Sequence, residues 1–191
     1  MKKVLMAAAV LAVALPGFAQ GNPRGNASAT LGSKKVTIDY GRPALKGRPM
    51  DELLKQLPAD RMWRAGSEQV TTLSSETDLV VGDKKVPAGK YSLYLHVPES
   101  GDYALAINKD GGVPLGQIWD KAPDNLKNEP WPQQDYGKIA ATEVARVALR
   151  KVAPEAPSDQ FTIGLTPSKI GAVLTLTWGD RSWTTDIAPA K

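Results

Sequence analysis

Apolar and polar side chains alternate along most of the chain after residue 27, and turn-forming residues separate the alternating segments. A period of two is typical of strands that bury one face. In the longest regular example, 90–97, one face carries Tyr91, Leu93, Leu95 and Val97. The other face carries Ser92, Tyr94 and His96. Further segments of this kind lie at 27–31, 35–40, 70–73, 77–81, 85–86, 102–108, 140–152, 161–165, 172–178 and 181–187.

About ten short strands separated by turns predict an all-β fold, either an antiparallel β-sandwich or a partly open barrel. One short helix is expected near 50–57, where acidic residues precede Lys55 as the helix dipole favours. Residues 140–150 also contain good helix formers. We favour a strand there because a Pro-rich turn and further strands follow.

The first residues have the pattern of a targeting segment. Lys2 and Lys3 precede an apolar run at 4–15, and small residues stand before a cleavage point that follows Ala19. This arrangement predicts a signal peptide at 1–19, with an uncleaved anchor as the alternative. The apolar run is short for a membrane span. We therefore expect a periplasmic or secreted protein with no transmembrane segment after cleavage.

The remaining chain is predicted to form a mobile leader at 20–26 and a single β-rich domain at 27–191. A stretch at 109–137, rich in Gly, Pro and Asn, interrupts the strand pattern as a long loop. Loops of that length are uncommon and often functional.

Composition restricts the chemistry. The chain has no cysteine and one histidine, which excludes thiol chemistry and disulfides and argues against a metal site. A formal net charge of +4, part of it from Lys2 and Lys3, is too small to indicate nucleic-acid binding. No glycine-rich phosphate loop or other cofactor motif is present, so no cofactor is expected.

A polar and aromatic cluster between 39 and 71 supplies the candidate ligand-binding residues, which are Tyr40, Arg42, Arg48, Trp63 and Arg64. Arginine forks suit carboxylates and phosphates, and aromatic faces suit sugars or cations. The alternative is structural, with the arginines paired to nearby carboxylates such as Asp39 and Asp51.

Trp119 and Trp131 lie in the long loop. They form either a secondary aromatic platform for a ligand or a plug over the end of the core. His96 shares a strand face with hydroxyl groups, but no nucleophile motif accompanies it. No catalytic residue is assigned.

The strings VTIDYGRPALKGRPMDELL, MWRAGSEQVTTL, KKVPAGKYSLY and ALAINKDGGVPLG resemble the bacterial domain-of-unknown-function family 2911. The resemblance covers essentially all of the chain after residue 27. It implies an exported, mostly β protein of no established activity and supplies no catalytic residues. Where the family has an Asn-Glu pair after its WRxG string, this chain has Glu68 and Gln69.

These observations favour a non-enzymatic binding or envelope-associated module for a polar or anionic ligand, such as a glycan, a cell-wall fragment or an anionic small molecule. One alternative is an exported hydrolase that uses Asp and Glu as acid and base. The other is a structural or partner-binding protein with no small-molecule site.

Overall fold

The computed structural model of the protein describes residues 21–190, so the predicted signal peptide at 1–19 lies outside the described residues. Two antiparallel sheets contain most of the strands in this part of the chain. Its strands are β1 Arg24–Leu31, β2 Lys34–Gly41, β3 Met62–Trp63, β4 Thr72–Ser75, β5 Leu79–Val81, β6 Lys84–Val86, β7 Gly89–His96, β8 Ala104–Asn108, β9 Val113–Pro114, β10 Pro130–Trp131, β11 Glu143–Ala148, β12 Arg150–Val152, β13 Ser158–Pro167, β14 Ala172–Gly179 and β15 Arg181–Pro189. The helical elements are α1 Met50–Leu54 and 3-10 turns at Leu115–Gln117, Tyr136–Lys138 and Ala140–Thr142.

The first sheet has the strand order β1-β2-β4-β7-β8-β11, and β3 pairs with the far end of β7. The register pairs Met62 with His96 and Trp63 with Leu95. The chain therefore enters the loop after Trp63 directly beside the central strand of the sheet.

The second sheet has the order β13-β14-β15-β5-β6, with β12 also pairing with β15. A tight turn at Gly179, where φ is 62°, joins β14 to β15. Glycine adopts this left-handed conformation without steric strain. The second sheet covers the inner face of the first one.

The main core lies between the sheets. Alternation along β7 places Tyr91, Leu93 and Leu95 in it, and Phe161 from β13 is almost fully buried opposite them. Burial of such aliphatic and aromatic side chains supplies the main stabilising free energy, about 1.5–3 kcal/mol for each.

A second, smaller core covers the opposite face of β7. Its members are Met62, Tyr94, Ala106, Tyr136 and Ile139. It exists because the segment after β8 folds back over the outer face of the first sheet. This segment, predicted as a loop at 109–137, contains the two-stranded ladder of β9 with β10 and two 3-10 turns.

The all-β sandwich prediction is confirmed, and the strands of residues 21–190 form no closed barrel. The predicted helix near 50–57 is present as Met50–Leu54. The strand predicted within 140–150 is present as β11 from residue 143, whereas residues 140–142 form a 3-10 turn instead. Strand β1 begins at Arg24, so it overlaps the predicted leader at 20–26. No helix among residues 21–190 has the length and apolar character that a membrane span requires.

Candidate functional site

The backbone on both sides of β3 has an unusual conformation. Arg61 before the strand and Ala65 and Glu68 after it are non-glycine residues with φ values of 56°, 48° and 63°. Left-handed conformations are disfavoured for such residues and cluster at functional sites. The short segment on either side of Arg64 is thus held in a conformation that the neighbouring structure must stabilise.

Aromatic packing holds the start of the loop that follows β3. The Trp63 ring stacks on Trp178 of the second sheet, with centroids 5.1 Å apart and 9° between the planes. It also meets the edge of Phe161 at 4.8 Å. Trp63 therefore extends into the core, and the next residue, Arg64, belongs to the outer side of the sheet.

Backbone contacts hold the rest of the loop. The hydroxyl of Thr71 donates to the Ala65 carbonyl at 2.9 Å. A Cβ atom placed on Gly41 would lie 2.0 Å from the backbone oxygen of Ser67. The end of β2 and the loop consequently meet at a distance that only glycine permits.

Arg64 lines a cavity of about 140 Å³ on the outer side of the first sheet. We call it the Arg64–Tyr94 cavity. It is lined by Leu57, Pro58, Asp60, Met62, Trp63, Arg64, Tyr94, Pro132, Gln133, Gln134 and Tyr136. Asp60 and Gln134 are exposed at its rim, whereas Tyr94 and Tyr136 are buried.

The Arg64 guanidinium has no ion-pair partner within 4 Å among residues 21–190. Burial lowers its pKa, and the charge of Glu68 opposes this shift. Glu68 itself accepts the backbone N–H of Asn22 at 2.5 Å. Arginine remains protonated in proteins, so the cavity holds a half-buried positive charge.

The Tyr94 hydroxyl is the second unsatisfied group. Tyr94 is 2% exposed, and its hydroxyl makes no hydrogen bond of normal geometry with any residue in 21–190. Burial raises the pKa of Tyr94 to about 12, although a nearby backbone N–H of Gln133 opposes this shift, so the hydroxyl stays protonated and its proton has no acceptor. Buried polar atoms without a partner are rare and call for an explanation.

The hydroxyl of Tyr136, unlike that of Tyr94, has hydrogen-bond partners both as donor and as acceptor. Its hydroxyl donates to Glu143 at 2.6 Å and accepts from the Asn108 amide at 3.3 Å. Arg146 binds both Glu143 oxygens at 2.9 and 2.6 Å. The Tyr136 ring then meets Tyr94 edge-on, with centroids 4.9 Å apart. This network fixes the floor of the cavity and the orientation of Tyr94.

Four buried side-chain polar atoms lack a partner in the described part of the chain, and they belong to Arg42, Ser67, Ser92 and Tyr94. Of these residues, Tyr94 lines the small cavity. None of the four lines the larger cleft of about 530 Å³ or the groove of about 500 Å³ on the second sheet. We therefore select the Arg64–Tyr94 cavity as the candidate site, because a residue with a buried, unpartnered hydroxyl lines it together with Arg64.

The structure separates the five residues that the sequence grouped together. Trp63 and Arg64 line the cavity. Tyr40 is buried in the main core and donates to the Ile163 carbonyl at 3.1 Å. Arg42 reaches the Thr162 hydroxyl at 3.4 Å. Arg48 is exposed and donates to its own loop, at Leu45 and Ala44 carbonyls 2.8 and 3.0 Å away.

The carboxylates expected to pair with these arginines have other partners. Asp39 pairs with Arg24 and Asp51 with Arg181. Arg42, Arg48 and Arg64 form no ion pair within the described residues.

The two loop tryptophans do not form a joint platform in the described structure. Trp119 is 49% exposed in the segment between β9 and β10. Trp131 is half-buried in β10 and pairs with Val113. Their rings make no aromatic contact with each other among the aromatic pairs of residues 21–190.

The larger cleft has three carboxylates in its lining, those of Asp51, Glu99 and Asp102. Arg181 holds Asp51 through contacts of 2.8 and 2.9 Å. No group of three or more metal-ligating side chains in residues 21–190 is arranged to hold a metal ion.

Sequence reasoning missed Tyr94 and Tyr136 as site residues. The alternation predicts Tyr94 on the outer face of β7. The residues that bury it come from the segment after β8, where apolar and polar residues do not alternate regularly. A tyrosine on the polar face of a long central strand was the one available signal.

The chain matches the family model DUF2911, described as a protein of unknown function, over residues 22–187. The chain belongs to the DUF2911 family. The expected resemblance is thereby confirmed. No curated protein and no solved structure matches the chain. Membership of DUF2911 assigns no activity, and the Arg64–Tyr94 cavity lies within the part of the chain that the family model covers.

Proposed function

We propose that this protein is an exported binding module that holds an anionic group of its ligand in the Arg64–Tyr94 cavity. The observation that carries the proposal is a half-buried guanidinium without an ion pair in the same cavity as a buried hydroxyl without a partner. Nothing in this arrangement requires catalysis.

The two groups are complementary to an oxyanion. Arginine presents two parallel N–H donors to a carboxylate or phosphate, and a protonated tyrosine adds a third donor. Hydrogen bonds to a charged partner contribute about 1.5–3 kcal/mol each. An anion would also satisfy the Tyr94 hydroxyl and compensate for the desolvation of Arg64.

The size of the cavity supports recognition of an end group. Its volume is about 140 Å³. Sites that enclose a whole drug-sized ligand occupy about 300–1,000 Å³. The remainder of a larger ligand, such as a glycan or a cell-wall fragment, would lie outside along the rim near Asp60 and Gln134.

Export is part of the proposal and rests on the sequence of residues 1–19. Its test is to express the full chain in a bacterium, separate the cell fractions and determine the N-terminal residue. A periplasmic or secreted protein that begins at Gln20 supports export. A protein that retains Met1 in the membrane fraction contradicts it.

Binding is tested on protein purified after expression of the full chain. The melting temperature is measured with a panel of small carboxylates, phosphates and acidic sugars. We expect at least one anion to raise the melting temperature of the wild type and of Arg48→Gln. Arg48 is the matched control because its guanidinium binds only its own loop.

Arg64→Gln should abolish that rise, provided the variant shows the same circular dichroism spectrum as the wild type. Anion-dependent stabilisation that is equal in Arg64→Gln and the wild type would contradict the proposal. No response to any anion would favour the alternative of a protein without a small-molecule site.

The hydrolase alternative receives no support from this cavity. Its lining contains one carboxylate, that of Asp60, which accepts the backbone N–H of Met62 at 3.0 Å. Acid–base hydrolysis of a glycoside uses two carboxyl groups at a defined separation.

A further inference from the structure

We propose that the group bound in the Arg64–Tyr94 cavity is a carboxylate on a short, uncharged stem that carries a neighbouring amide or hydroxyl. This inference rests on the proposed function and specifies its ligand. The C-terminal end of a peptide and a free small carboxylic acid share this chemistry.

The charge of the cavity favours a monoanion. Arg64 is the one cationic residue in its lining, and Asp60 at the rim carries the opposite charge. Phosphate sites in proteins usually combine several cations, a helix N-terminus or a nest of backbone N–H groups. The lining of this cavity contains one guanidinium, one available hydroxyl and no lysine.

The geometry of the donors fits a planar group. A guanidinium fork binds the two oxygens of a carboxylate through parallel hydrogen bonds. The Tyr94 hydroxyl can donate to one of the same oxygens. Arg64 and Tyr94 both line this cavity of about 140 Å³, so one ligand group in it can meet both side chains.

The walls indicate what lies next to the carboxylate. Leu57, Pro58, Met62 and Pro132 supply apolar surface for a short stem. Gln133 and Gln134, which follow β10, contribute side-chain amides to the lining of the cavity. A side-chain amide both donates and accepts, so it matches an amide or a hydroxyl on the ligand.

The test compares dissociation constants measured by calorimetry for four probes. These are N-acetylalanine, its uncharged amide, lactate and inorganic phosphate. We expect N-acetylalanine to bind at least about tenfold more tightly than its amide or phosphate, the ratio that one charge-assisted hydrogen bond provides. Tyr94→Phe should weaken N-acetylalanine about tenfold, and Arg64→Gln by more.

Lactate distinguishes the two sources. Binding of lactate as tight as that of N-acetylalanine supports a free small carboxylic acid, whereas weaker binding supports a peptide end. Both results support the inference that the bound group is a carboxylate. Tighter binding of phosphate that depends on Arg64 overturns this inference and leaves the proposed function standing. Failure of every anion to show Arg64-dependent binding in the panel above overturns both.

Discussion

The indole rings of Trp63 and Trp178 lie stacked across the sandwich, with 5.1 Å between centroids and 9° between planes. Trp63 belongs to the first sheet and Trp178 to the second, so the pair joins the two layers directly behind Arg64. The cavity therefore depends on the core for its position, because Trp63, which packs against the core, and Arg64, which lines the cavity, are neighbours in sequence.

Trp63→Ala should lower the free energy of unfolding by about 3–5 kcal/mol, because it removes a large aromatic side chain and leaves a cavity. Chemical denaturation measures this change. Trp119→Ala is the control, since a half-exposed tryptophan should change stability by no more than about 0.5 kcal/mol. Equal effects of the two substitutions would show that Trp63 does not anchor the loop.

Tyr94→Phe and Tyr136→Phe should shift stability in opposite directions. The first removes an unpartnered buried hydroxyl, and an unsatisfied group of this kind costs about 1–3 kcal/mol, so the ligand-free protein should become more stable. The second loses the bonds to Glu143 and Asn108 and should be destabilised by about 1.5–3 kcal/mol. Urea unfolding without ligand checks both signs, and destabilisation by Tyr94→Phe would mean that its hydroxyl is bonded in the free protein.

Gly41→Ala should be strongly destabilising because its Cβ would lie 2.0 Å from the Ser67 backbone oxygen. Displacement of a backbone segment costs at least about 1–3 kcal/mol. Gly164→Ala is the matched strand control, since a Cβ there meets nothing within 4 Å. The pair is compared by melting temperature, and the account requires a much larger decrease for Gly41→Ala.

The pH dependence of stability should report the Glu143 network. Burial alone would raise the pKa of Glu143, but hydrogen bonds from Arg146 and Tyr136 outweigh burial and hold it below its usual value. Because the folded-state pKa is depressed, the stabilisation is fully present above the unfolded value of about 4.3. It is lost as the pH falls through the folded value.

Glu143→Gln should therefore destabilise the protein most at neutral pH, and the difference from the wild type should shrink below about pH 4. Free energies of unfolding measured from pH 3 to 7 give both curves. A difference that is constant over this range would contradict the assigned role of the carboxylate.

Much of the fold could be predicted from the chain because two-residue alternation is a local signal. The apolar face of β7, with Tyr91, Leu93 and Leu95, is the face that lies in the main core. Alternation also predicts the strand within 140–150, of which residues 143–148 form β11. Each of these features depends on neighbouring residues.

The site could be predicted only in part. Trp63 and Arg64 were chosen for their chemistry and do line the cavity, but Tyr40 and Arg48 were chosen on the same grounds and lie elsewhere. Tyr94 is buried by Tyr136, which is 42 positions later in the chain. A contact between residues so far apart in sequence is not visible in the local pattern of apolar and polar residues, so it could be identified only from the folded structure.

A crystal structure of the purified protein with millimolar N-acetylalanine shows whether the cavity binds a carboxylate. We expect electron density for the carboxylate in the cavity, within hydrogen-bond distance of the Arg64 guanidinium and the Tyr94 hydroxyl. Density for the ligand at another place, or an Arg64 side chain paired with a carboxylate of the protein itself, would exclude the proposed site.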